Sequence, residues 1–120
     1  MADEIAKQFV QYYYATFDQN RASLAPLYRP NSALTWEKDQ FKGHEAIVEK
    51  LTSLPSGVVH QVSTLDAQPS NETVASILVM VTGALVIDDN QPMQFSQTFH
   101  LLPDGGSYYI FNDIFRLNLG

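Results

Sequence analysis

The chain has 120 residues, 45% of them hydrophobic and 17% charged, which is enough apolar material for one compact core and too much for a disordered chain. It has no cysteine, so disulfides, thiolate metal sites and thiol nucleophiles are excluded. The net charge of −6 is unevenly placed: residues 1–50 hold six bases against seven acids, whereas residues 51–120 hold Arg116 alone against six acids, a balance that repels nucleic acid and anionic lipid and suits a basic protein partner.

Ile5, Phe9, Tyr12, Tyr13 and Phe17 recur at helical spacing and predict a first helix over 3–18, with Asp3 able to cap it. A short second helix is expected at 22–28, where Pro26 fits only the first turn. Residues 34–37 and 40–42 read as a short hairpin or as paired extended pieces. Gly43 then opens a third helix carrying Ile47, Val48 and Leu51, which Leu54 and Pro55 end. From Val58 the period changes to two. Four strands are expected, at 58–68, 74–88, 93–102 and 107–118, separated by loops rich in Pro, Asn, Asp and Gly. Helices first and hairpin-linked strands later mean an α+β domain spanning 1–120, with an antiparallel sheet.

Both faces of the long strands are apolar. Ile77, Val79, Val81, Leu85 and Ile87 share one face of the second strand, and Leu78, Met80, Ala84 and Val86 the other. On the last strand Tyr109, Phe111, Phe115 and Leu117 are expected to oppose Ile110 and Ile114. Helices can cover one face. The second face, with Met80 and Ile114, is expected to meet a second copy of the chain in a C2 homodimer.

The N-terminus lacks the basic and apolar regions of a secretory signal, and the longest apolar stretch, 74–87, is too short to span a bilayer, so neither secretion nor membrane insertion is expected. No phosphate loop, nucleophile elbow or pair of histidines at metal spacing occurs, so neither a metal nor a cofactor is expected. Basic patches with interleaved aromatics are missing, which argues against nucleic acid. One pair is chemically suggestive. Asp113 shares strand parity with Phe111, Phe115 and Leu117, and a carboxylate on a buried face needs a partner, which His60 on another strand can supply. Such a pair either orders the interior or acts as a general base.

Tyr12-Tyr13, Phe17-Asp18, Leu34-Thr35-Trp36-Glu37, Ile47-Val48-Glu49-Lys50-Leu51, Ser53-Leu54-Pro55 and Phe111-Asn112-Asp113-Ile114-Phe115-Arg116-Leu117 occur in order. Together they resemble the nuclear transport factor 2 family, carriers of GDP-bound Ran into the nucleus, over essentially the whole chain. The resemblance implies a cone-shaped fold, with N-terminal helices packed on a bent antiparallel sheet enclosing an apolar cavity, and a homodimer formed sheet to sheet. It implies a carrier that shuttles between cytoplasm and nucleus and concentrates at the nuclear pore, not an enzyme; the alternative is an isomerase or dehydratase of the same fold using His60 and Asp113. A Ran phenylalanine would enter the cavity, whose matching wall positions here are Trp36, Leu54, Leu85, Ile87, Met93, Phe115 and Leu117. Rim acids would pair with bases of Ran: Glu37 first, then Asp88 and Asp89, while Asn90 stands where relatives carry another acid. Ser56 stands where an aromatic is often found. Phenylalanine-glycine repeats of nucleoporins are the second implied partner, with Ile5 as the available apolar residue near the N-terminus.

Overall fold

The computed structural model describes residues 2–55, 57–71, 73–88 and 90–118. A long helix, α1 (Ala2–Gln19), leads into a 3-10 helix (Arg21–Leu27) and a nine-residue strand, β1 (Tyr28–Trp36). Then follow β2 (Asp39–Lys42), α2 (His44–Thr52), β3 (Val58–Pro69), β4 (Ile77–Ile87), β5 (Met93–Asp104) and β6 (Ser107–Leu117). The second helix is thus of the tighter 3-10 kind. With Pro26 inside it the segment lacks a donor for an α-turn, and the chain is already extended at Tyr28. β1 is correspondingly longer than the piece expected at 34–37.

The fold is α+β, with the helices packed on one face of a six-stranded sheet of order β2-β1-β6-β5-β4-β3. One feature corrects the antiparallel expectation. β1 runs parallel to β6, pairing Leu34 with Asp113 and Trp36 with Phe115, so the sheet is mixed, and it stays open with β2 and β3 as edges. The long return from β2 through α2 and three strands makes that pairing possible, because only a distant connection can bring a strand back parallel.

Between helices and sheet lies an aromatic core. Tyr13 packs edge-on to Phe99 at 4.9 Å, and Phe95 and Phe115 stack at 5.6 Å. Ala6, Val10, Tyr13, Tyr14 and Phe17 of α1 are buried at helical spacing, which corrects the expected stripe: Ile5 and Phe9 are half-buried and Tyr12 is exposed, because the covered face lies one residue further along the helix. On β4 the burial alternates strictly at first: Ile77, Val79 and Val81 are buried while Leu78 and Met80 are exposed. The expectation for β6 is corrected. Its ladder with β5 shifts register between His100 and Leu101, so Phe111 is an extra residue and the parity reverses around it. Ile110 is consequently buried opposite Leu101, and Phe111 sits edge-on to His100, 5.8 Å away. Beyond the bulge Asp113 and Phe115 point inward, and Ile114 points outward with half its surface exposed.

Candidate functional site

β1 and β4 end side by side in function if not in sequence. The last residue of each, Trp36 and Ile87, lines one small apolar pocket, together with Leu54 and Leu85. Phe17, Pro55, Val58 and His60 complete its wall. The pocket holds about 40 Å³, against on the order of 150 Å³ for a protein cavity that takes benzene. Trp36 is its largest wall element. The indole stacks on Phe115 at 4.0 Å with the planes 7° apart, and lies parallel to Phe17 at 6.4 Å. Phe115 therefore backs the wall. Met93 and Leu117, half-buried at the ends of β5 and β6, are not among the lining residues.

The residue after each of those strand ends is an acid, and each acid has a left-handed backbone: Glu37 at φ 62° and Asp88 at φ 50°. They are the only described non-glycine residues with positive φ. Each opens a tight turn, Glu37 between the paired Trp36 and Asp39, and Asp88 within the turn closed by the Asn90 N–H on the Ile87 carbonyl at 3.0 Å. Glycine is the usual occupant of such a position, and a side chain there stores roughly 1–3 kcal/mol of strain. The surroundings hold both acids in place. The Glu37 N–H donates to Phe115 O at 2.9 Å, and its carboxylate Oε1 accepts the Leu117 N–H at 2.6 Å. The Asp88 N–H donates to Gly57 O at 3.1 Å, and a Cβ on Gly57 would fall 1.9 Å from Asp88 Oδ1, so only glycine leaves room for that carboxylate. Asp89 and Ser56 lie outside the described residues.

The expected His60–Asp113 pair does not form. His60 Nδ1 instead donates to Asp18 Oδ1 at 2.7 Å, and the second oxygen of Asp18 accepts the His60 backbone N–H at 3.0 Å. The imidazole is sandwiched against Tyr14 at 4.3 Å and edge-on to Phe17 at 4.8 Å, with its Nε2 making no hydrogen bond among the described residues. Asp113 is fully buried elsewhere. Its Oδ2 accepts Tyr28 Oη–H at 2.8 Å and Tyr13 Oη–H at 3.5 Å, and its Oδ1 accepts Gln97 Nε2–H at 2.8 Å. Tyr14 donates to Gln97 Oε1 at 2.7 Å and closes the network. Burial pushes the Asp113 carboxyl from 3.8 up to about 6, against the opposing pull of its three hydrogen bonds. Burial first, then the Asp113 charge, holds the hydroxyls of Tyr13, Tyr14 and Tyr28 well above the usual phenol range, so they remain donors.

Helix spacing hid the partners of both groups. Asp18 falls at the end of α1, where the sequence shows only a helix stop, and the tyrosines at 13, 14 and 28 read as core aromatics. Tyr13 and Tyr28, two hydroxyl-bearing aromatics beside a strand acid, were the signal available, since buried tyrosines seek acceptors.

The chain matches the nuclear transport factor 2 domain over residues 5–117. It is 61% identical to nuclear transport factor 2 of Emericella nidulans, covering 98% of this chain and 97% of that one, and 53% identical to that of Schizosaccharomyces pombe over the full length of both. The solved structure of nuclear transport factor 2 from Cryptosporidium parvum superposes with a TM-score of 0.92 at 50% identity, covering 98% of this chain and 94% of that one.

Proposed function

The chain belongs to the nuclear transport factor 2 family and is a nuclear transport carrier, and we propose that its cargo is Ran in the GDP form, taken at the pocket between β1 and β4. The observation that supports this most is the placing of two strained acids, Glu37 and Asp88, each directly after a pocket-lining residue. Backbone strain of this kind persists where a function holds it, and acids beside an apolar pocket suit a partner that inserts an aromatic side chain flanked by bases. An apolar anchor would supply affinity, and the rim carboxylates would fix orientation and speed encounter. At about 40 Å³ the pocket must part its walls to admit a phenyl ring.

The second proposed partner is the phenylalanine-glycine repeat of nucleoporins. A groove beside the N-terminal turns of α1, lined by Asp3, Lys7 and Leu65 among others and bordered by Met80 at the edge of the outer sheet face, is proposed as its shallow site; the half-buried Ile5 is not among its lining residues. The exposed outer face of the sheet, with Met80 and Ile114 about half exposed, is proposed as the homodimer interface. The protein would then work between cytoplasm and nucleus and gather at the pore, as a carrier and not an enzyme. The isomerase or dehydratase alternative called on His60 and Asp113 together, and these have separate partners.

Titration calorimetry against Ran-GDP tests the site. Glu37→Lys is expected to weaken binding at least tenfold, and to lower stability by about 1 kcal/mol through the lost bond from Leu117 N–H. Glu37→Gln keeps that bond and isolates the charge, so its affinity should fall with stability unchanged. Undiminished binding by Glu37→Lys would sink the assignment. For the interface, Ile114→Glu places an unpaired charge in the buried face and should yield monomers in sedimentation, whereas a persistent tight dimer would remove that face from the assembly.

A further inference from the structure

The pocket wall formed by Leu54 and Pro55 is not held by the sheet. It lies in the segment after α2, between a helix end and the start of β3, where the Leu54 N–H donates to Leu51 O at 3.3 Å and no ladder bond to the sheet occurs among the described residues. One side chain holds its carbonyls. From the start of the 3-10 helix, Arg21 reaches across and donates through Nη1 to Leu54 O at 2.7 Å and Leu51 O at 3.3 Å, and through Nη2 to Pro55 O. The same guanidinium lies 5.0 Å over the ring of Phe17, the pocket residue contributed by α1. A planar fork with several donors can take three carbonyls and an aromatic face at once, and a lysine ammonium cannot match that geometry. The positive charge also lies at the C-terminal end of α2, where the helix carbonyls favour it.

We infer that Arg21 is a positioning residue for the pocket: from outside, it clamps the α2 end and the 54–55 wall against Phe17, and so keeps the apolar site formed before an anchor arrives. It touches no cargo. Its contribution to affinity comes from ordering achieved in advance, because a wall that is loose in the free protein must be ordered at the expense of binding. This rests on the carrier reading for the ligand, and on the structure alone for the clamp.

Trp36 is the single tryptophan of the chain and part of the same wall, so its fluorescence reports on the pocket directly. Two variants carry the test: Arg21→Met keeps the stem on Phe17 without donors, and Arg21→Lys keeps a charge without the fork. Each should at least double the acrylamide quenching slope of Trp36 and weaken Ran-GDP binding about fivefold, with far-ultraviolet dichroism and sedimentation unchanged. If Arg21→Met fails to fold, Arg21→Lys decides alone. Quenching unchanged in a folded variant overturns the clamp, whatever the affinity does. Should the parent itself not bind Ran-GDP while the variants still expose Trp36, the cargo assignment falls and the clamp stands.

Discussion

Asp18 and Asp113 are both drawn into the same aromatic interior, yet they end in opposite situations. Asp18 sits at the pocket end of α1 with a side chain one-fifth exposed, and it grips His60 by ring and backbone. Asp113 lies in the middle of the sheet, buried, bonded to three neutral donors and to no cation among the described residues. The first arrangement shapes a wall of the site, since His60 lines the pocket. The second is buried, with its carboxylate taken up by Tyr13, Tyr28 and Gln97, and does structural work, tying α1, β1, β5 and β6 together. The contrast shows how to separate buried polar groups by role: the partner's chemistry matters more than burial itself.

The largest expected effect breaks or confirms the description of Asp113 as a buried charge held by neutral donors. A carboxyl held near 6 when folded and near 4 when unfolded binds its proton more tightly in the folded chain. Its stabilising contribution is therefore complete below about pH 4 and is lost as pH rises through about 6, a change of about 3 kcal/mol. Asp113→Asn cannot titrate, and Gln97 can turn its amide to meet the new one. The unfolding free energy of this variant relative to the parent should rise by about 3 kcal/mol between pH 3 and pH 7 in urea titrations. A flat difference would mean that Asp113 is solvated after all.

Next in size is the donor side of that network. Tyr28→Phe removes the 2.8 Å bond to Oδ2 and should destabilise by roughly 2 kcal/mol at pH 7, where the carboxylate is charged, and by less at pH 3. Equal losses at both pH values would show that packing of the ring, and not the charge, carries the effect. The smallest effect sharpens the other side of the comparison. Asp88→Gly relieves a positive φ and should raise unfolding stability by about 1 kcal/mol while weakening Ran-GDP binding. Stability unchanged in this variant would mean that the turn is unstrained; binding unchanged would remove Asp88 from the rim.

Much of the molecule was legible in the sequence by itself. The spacing of Ile5, Phe9, Tyr12, Tyr13 and Phe17 determined that α1 is a helix but not its covered face, since Tyr12 is exposed, and the alternation on 77–81 determined which face of β4 is covered, because periods of 3.6 and 2 follow from local backbone geometry. Trp36, Leu54, Leu85 and Ile87, expected as wall positions from a family resemblance, line one pocket, whereas Met93 and Leu117 do not. Tertiary structure alone decided the rest. The parallel pairing of β1 with β6 joins residues some eighty positions apart, and no local pattern encodes it. A single bulged residue, Phe111, reversed the parity from which the orientation of Ile110 was read, since a period of two inverts with every insertion. The partners of His60 and Asp113 were set in the same way: which donor meets which carboxylate depends on how α1 crosses the sheet, a matter of three-dimensional packing that spacing along a chain does not contain.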